Sequence, residues 1–234
     1  MMNKATSLNE FLELHEITPN NSLTFIQALT HSSFNKGGTK KVGNYEQLEF
    51  LGDAVLQFIS SAYIFRKYPD LAQGFQTRLR AKAVCTDTLS EISREIGLID
   101  ILKTGPGQMS VDVKGSHKVQ ADVFESIVGA IYFDQGITKA RDFIAKYIYP
   151  VIDQIHSDNN KDAKSELQEY FQSFSKENIT YITEQLDDKR FFAKAQHDKK
   201  FFGKGYGNTK KEAELAAAQD ALSKLKEFDL SEGK

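Results

Sequence analysis

Glu46, Glu49 and Asp53 lie in the run Asn44-Tyr-Glu-Gln-Leu-Glu-Phe-Leu-Gly-Asp-Ala-Val-Leu56, three and four residues apart. At about 100° per residue the three carboxylates fall within roughly 60° of one another on a helix, while Leu48, Leu51, Val55, Phe58 and Ile59 take the opposite side. Like charges this close repel. A solvated face relieves that repulsion blandly; a bound cation relieves it with chemistry attached. Phe50 projects into the same sector as the acids, and a large aromatic there favours a face that meets another surface. A second pair, Asp122 and Glu125, sits in Val119-Gln-Ala-Asp-Val-Phe-Glu-Ser-Ile-Val-Gly-Ala-Ile-Tyr132, whose apolar face is Phe124, Ile127, Val128 and Ile131. Ser126 and Gly129 on the acidic side leave space for an ion, a phosphate or a close backbone. Packed side by side, the two helices would gather four to five acids. Hard oxygen donors without Cys or clustered His suit magnesium or manganese rather than zinc, with a couple of carboxylates on the ion and its other positions left to water and phosphate.

The elements that must position these residues read as helices through most of the chain. Amphipathic stretches at 8–15, 23–31, 45–67, 75–96, 119–133 and 137–155 predict an all-α domain over 7–155. Ser7-Leu-Asn-Glu10 reads as a capping box opening the first helix. Gly-rich, lysine-bearing loops at Asn35–Asn44 and Lys103–Lys118 lead into the two acidic helices, either guiding phosphates or serving as connectors. The polar run Ser157-Asp-Asn-Asn-Lys-Asp162 predicts a linker at 156–162. Beyond it, a helix at 163–175, strand-like runs at 179–186, 190–197 and 200–206, and an Ala-rich helix at 210–226 give α-β-β-β-α, a small α+β domain over 163–228 with a tail at 229–234.

With 234 residues, 40% hydrophobic and 26% charged, the chain has the composition of an ordinary soluble protein. The opening Met-Met-Asn-Lys-Ala-Thr lacks the apolar stretch of a secretory signal and no segment is expected to approach membrane-spanning length, so a cytoplasmic protein is expected. The lone Cys85 reads as a small core residue, and His31, His117, His156 and His197 as structural or surface residues.

The net charge of −2 gives nucleic-acid binding no support, but its distribution does. Residues 189–211 hold eight Lys or Arg against the single acid Asp198, a local balance of +7. Such a stripe is either a solvated hairpin or a footprint for a polyanion. The flank favours the polyanion. Thr209-Lys-Lys-Glu212 matches a capping box that puts Lys210 and Lys211 in the first turn, where the helix dipole disfavours cations by some tenths of a kcal/mol each. A phosphate at that helix end resolves the conflict. Gly203, Gly205 and Gly207 would either let a backbone approach the anion or form a strand end and turn.

Glu46-Gln-Leu-Glu-Phe-Leu-Gly-Asp-Ala-Val-Leu56 resembles the signature of bacterial ribonuclease III. Ala28-Leu-Thr-His-Ser-Ser-Phe34, Thr77-Arg-Leu-Arg-Ala81 and Ala121–Gly136 follow in the family's order, and Lys164-Ser-Glu-Leu-Gln-Glu169 with Thr209–Ala218 resembles a double-stranded-RNA-binding domain. The resemblance implies an endoribonuclease that uses Mg2+, with Mn2+ able to substitute, and that dimerises so that two sites cut opposite strands. By position it implies metal ligation by Glu49, Asp122 and Glu125 and catalytic roles for Asp53 and Glu125 in orienting and deprotonating water. It implies an accessory role for Glu46 and a dimer-interface position for Phe50. Products would carry 5′-phosphate and 3′-hydroxyl ends. Ser165, Gln168 and Glu169 match the family's minor-groove helix, and Lys210 and Lys211 its phosphate contacts. Two departures stand out. Gln73 replaces an accessory Glu, and Leu186-Asp-Asp-Lys-Arg190 is shorter and more acidic than the family's Gly-Pro-x-His loop, so the usual middle contact is not expected. Processing of ribosomal RNA precursors is the expected role, a duplex-RNA-binding protein without cleavage the runner-up, and an acidic helical interaction module a third reading that leaves the lysines unexplained.

Overall fold

The computed structural model describes residues 4–37, 43–69, 71 and 73–232. Ten α-helices, a 3-10 helix at Ser32–Gly37 and three strands are assigned among them: α1 Leu8–Leu14, α2 Ser22–Ala28, α3 Glu46–Lys67, α4 Gln73–Ala83, α5 Thr86–Glu95, α6 Leu98–Ile101, α7 Gln108–Gly115, α8 His117–Gln135, α9 Ile137–Gln172, β1 Thr180–Gln185, β2 Phe191–His197, β3 Lys200–Gly207 and α10 Lys210–Glu232. The chain divides into two compact units, one holding residues up to Arg66 with Arg78–Ile152, the other Lys67–Thr77 with everything from Asp153.

The first unit is all helical and is built around α8. Phe124, Ile127, Val128 and Ile131 are fully buried, as their spacing predicts. Three polar ties surround this core helix: Ser93 Oγ donates to the Gln120 carbonyl at 2.6 Å, Arg94 to the Gln120 side chain at 2.9 Å, and Ser126 Oγ to the Ala28 carbonyl at 2.8 Å. Ser126 therefore fastens α8 to α2 rather than opening space beside the acids. The first helix begins as the capping box predicts. Ser7 Oγ accepts from the Glu10 amide at 3.2 Å, while the Glu10 carboxylate reaches one residue further back, to the Thr6 amide at 2.8 Å.

On α3 the buried face is Leu48, Gly52, Val55, Leu56, Ile59, Ser60 and Ile64. Phe58, expected on the apolar side, is exposed instead, because Gly52 and Ser60 take the sectors nearest the core and rotate the buried face away from it. The expectation that no segment reaches membrane-spanning length is also corrected. The 22 residues of α3 are long and apolar enough by length and composition, yet the face just named is buried in the first unit.

Three boundaries differ from expectation. The loop expected from Lys103 to Lys118 contains α7, where Gln-Met-Ser-Val-Asp-Val-Lys between Gly107 and Gly115 offers no breaker. The linker expected at 156–162 is helical backbone inside α9, which runs without interruption to Gln172. Asp and Asn there are poor helix formers, but neither Gly nor Pro is present to stop the helix. The tail expected from residue 229 continues α10 to Glu232, just before Gly233. Residues 38–42 of the Asn35–Asn44 loop, and 233–234 of the tail, lie outside the described residues.

The second unit carries the antiparallel sheet β1-β2-β3 with the expected α-β-β-β-α order. Its core joins Leu167 and Phe171 of α9 to Ala193 and Ala195 of β2 and to Ala213, Ala217 and Ala221 of α10. Gly203, Gly205 and Gly207 face this helix. A Cβ at Gly203 would lie 2.2 Å from the Ala217 carbonyl oxygen and one at Gly205 2.3 Å from the Ala217 nitrogen. They serve close helix-to-sheet packing, not anion approach. His197 is buried in the same core, stacked 4.3 Å from Phe171.

Candidate metal centre and nucleic-acid interface

The acids come together because α3 and α8 cross almost backbone to backbone. A Cβ at Gly52 would fall 1.7 Å from the Glu125 carbonyl oxygen, and one at Gly129 2.1 Å from the Leu48 carbonyl oxygen. Only glycine permits that approach. The crossing brings Glu49 of α3 beside Asp122 and Glu125 of α8, with one carboxylate oxygen from each within 4.8 Å of the others. Asp53 faces Glu125 closely enough to raise its pKa, but lies outside this tight trio and accepts from Gln57 Nε2 at 3.2 Å. Glu46 is exposed at the start of α3, outside the trio.

Lys118, one turn before Asp122, sits among the acids. Its ammonium donates to both Asp122 oxygens at 2.9 and 2.7 Å and lies 3.8 Å from Glu49. These bonds to Asp122, with the nearby Glu49 and Glu125 charges, raise the Lys118 pKa. Sequence reasoning placed a lysine near the acidic helix without assigning it to the cluster; the i,i+4 spacing from Lys118 to Asp122 was the available signal. Tyr45, buried against Asp122, is a second residue that reading missed, its hydroxyl pKa raised by burial and then by the Asp122, Glu49 and Glu46 charges.

A divalent cation fits this donor set. Three carboxylates from two rigid helices supply hard oxygens without a competing imidazole or thiolate, and a single ammonium, that of Lys118, already offsets part of their charge. Glu125 shows the cost of leaving them together: burial first, then Asp53, Asp122 and Glu49, push its pKa up to about 8, with Lys118 opposing. Glu49 is raised for the same first reason.

A stability prediction follows from the sign of that shift. The folded chain holds a proton on Glu125 that the unfolded chain has lost above 4.5, so this contribution is complete below that pH and disappears as pH rises through about 8. In chelator the melting temperature is expected to fall between about pH 4.5 and about pH 8, Glu125→Gln to lack that component, and magnesium to oppose it by binding the ionised form. Identical slopes for the two proteins in chelator would contradict the shift.

In the second unit, Lys210 and Lys211 are exposed in the first turn of α10. The Glu212 amide donates to Thr209 Oγ1 at 3.2 Å and the Glu212 carboxylate accepts from the Asn208 amide at 2.8 Å, so the expected box forms, again reaching one residue further back. Ser165 and Glu169 are exposed one turn apart on α9. Gln168 lies between them; its Nε2 donates to Asn178 at 2.9 Å and its Oε1 accepts from the Ile179 amide at 2.9 Å, bracing the approach to β1. The short loop closes tightly, with the Leu186 amide donating to the Arg190 carbonyl at 2.8 Å and Lys189 at φ 67°. Arg190 is tied to Asp188 at 2.7 Å. Gln73 is exposed at the start of α4 and donates to Thr77 at 3.2 Å.

A family model described as Ribonuclease-III-like matches residues 21–152, and one for a double-stranded RNA binding motif matches residues 163–225. The chain is 42% identical over 220 residues to Ribonuclease 3 of Mycoplasmopsis synoviae, across 94% of this chain and 95% of that protein. It is 37% identical over 227 residues to Ribonuclease 3 of Limosilactobacillus fermentum, across 94% and 98%. Among solved structures, a nuclease domain of ribonuclease III from Campylobacter jejuni, studied for flexibility in a region involved in dimer formation, matches with TM-score 0.54 and 30% identity, covering 59% of this chain and 93% of that one.

Proposed function

The chain belongs to the ribonuclease III family, and from that premise we propose that this endoribonuclease hydrolyses double-stranded RNA with Mg2+ held by Glu49, Asp122 and Glu125. The observation that carries the reading is the carboxylate trio itself, assembled from two helices at a crossing only glycine permits. When bound, a divalent cation would acidify the attacking water and neutralise the leaving oxygen. Asp53, beside Glu125 and more exposed, orients the water and accepts its proton. With those carboxylates on an ion, Lys118, which bonds Asp122 and lies near Glu49, would be available to pair with a phosphate oxygen. Glu46 has an accessory role, weakened by Gln73. The products have 5′-phosphate and 3′-hydroxyl ends, and the substrates include ribosomal RNA precursors in the cytoplasm.

Phe50, 81% exposed on α3, together with Phe58 and Phe65, supports a homodimer. An exposed aromatic row on one helix is an interaction face in a folded protein. Duplex RNA is held by Ser165 and Glu169 in a minor groove and by Lys210 and Lys211 on phosphates, with Gln168 bracing the helix that presents the first two. Replacing both lysines by Ala is expected to weaken duplex binding and lower the salt slope by about two, roughly one per phosphate contact. An unchanged slope would refute their role.

Gln73 motivates one second reading, a protein that binds duplex RNA without cutting it. Incubating a long RNA duplex with the chain, in magnesium and in chelator, decides between them. Cleavage in magnesium alone is expected; intact RNA in both, with a mobility shift, would establish the second reading, and no shift would defeat both.

A further inference from the structure

The sheet of the second unit has an outer face that the proposed duplex contacts do not use. Because Gly203, Gly205 and Gly207 turn toward α10, Lys204 and Tyr206 between them point away from it. The register irregularity at Ala195/Gln196 sends Phe202 into the core and leaves Phe201 outside. Across the strands Phe192 pairs with Tyr206, and Lys194 pairs with both Lys204 and Ile182. Phe201 and Tyr206 are 57% and 41% exposed. The Phe192 and Tyr206 rings stand 4.8 Å apart, and the Lys194 ammonium lies 5.3 Å from the Phe192 centroid and 5.4 Å from that of Phe201.

Two lysines directly opposite each other destabilise a sheet. Among the described residues neither has a carboxylate within ion-pair distance. Aromatic rings bracketing lysines that have no ion-pair partner among the described residues, with Glu184 beside Phe192 on the same face, form a surface complementary to phosphates separated by flat bases. A duplex hides its base faces, so only unpaired nucleotides can use the rings. A second copy of this face is disfavoured, because it would bring four lysines together. We propose that the outer face of this sheet binds unpaired nucleotides adjoining the duplex, with bases stacked on Phe201 and on the Phe192–Tyr206 pair and phosphates on Lys194 and Lys204. This rests on the duplex-RNA reading above and extends it to the single-stranded flank of the substrate.

The test measures binding of the full chain, with magnesium withheld, to a blunt RNA duplex, to the same duplex with a single-stranded 3′ extension of about six nucleotides, and to one with an abasic extension. The extension is expected to tighten binding about tenfold and the abasic one far less. Phe201→Ala with Tyr206→Ala is expected to bind the blunt duplex like the unaltered chain and to lose the gain. Equal affinity for blunt and extended duplexes, an equal gain from the abasic extension, or a gain that survives the double substitution would each overturn the proposal while leaving the duplex reading intact. No binding of the blunt duplex would overturn both. A change of oligomeric state in the double variant would assign the face to contacts between copies and overturn the proposal.

Discussion

Glu125→Gln is expected to bind double-stranded RNA as tightly as the unaltered chain and to cut it more than about a hundredfold more slowly. Gln keeps the volume but removes the charge of one of the three oxygens that converge within 4.8 Å. Loss of a hydrogen-bond partner behind a metal ligand typically costs about 10–100-fold, and loss of a ligand charge should exceed that. The substitution also removes the group whose pKa is pushed up to about 8, so the variant is expected to be at least as stable in chelator near neutral pH. Slow cutting by a well-folded, RNA-binding variant is therefore the informative result. Single-turnover cleavage and a filter-binding titration read the two halves separately. Turnover near that of the unaltered chain at ordinary magnesium would remove Glu125 from the ligand set.

Gly52→Ala is expected to have a comparable effect without touching an acid. The added Cβ would stand 1.7 Å from the Glu125 carbonyl oxygen, less than half of an ordinary contact distance, and that oxygen is helix backbone that cannot swing aside. The crossing must open by more than an ångström. Overpacking of this kind typically costs about 1–3 kcal/mol, and misplacing catalytic groups by about 1 Å can cost about a hundredfold in rate. Both a lowered melting temperature and a hundredfold loss of cleavage are expected, measured by thermal unfolding and single-turnover kinetics. A variant that melts and cuts normally would show that the acids do not depend on this crossing.

The acids and the core faces were legible because helical periodicity puts chemistry and packing at fixed offsets. Glu49, Asp122 and Glu125 meet as their spacing anticipates, and Phe124, Ile127, Val128 and Ile131 are buried. The glycines of the crossing were not legible as such. Gly129 offered space from the sequence, but that it faces Leu48 while Gly52 faces Glu125 depends on how two distant segments pack. Phe58 was misplaced for a related reason: it lies near the edge of the apolar sector, where the packing of Gly52 and Ser60 decides which way the helix turns. Polar composition misled at 156–162, since Asp and Asn weaken a helix without breaking it. Gln168 shows a different limit. Its type and position fit RNA contact, while its hydrogen bonds to Asn178 and to the amide of Ile179 depend on packing that spacing does not display.

The central claim is that the trio on α3 and α8 holds the cation on which cutting depends. A crystal structure of the chain grown with manganese, with the ion located by anomalous scattering, tests it directly. A peak bonded to oxygens of Glu49, Asp122 and Glu125 at about 2.0–2.2 Å, absent from Glu125→Gln, is the expected result. An empty trio in crystals of a chain that cuts duplex RNA in manganese, or a peak at another group of residues, would contradict it.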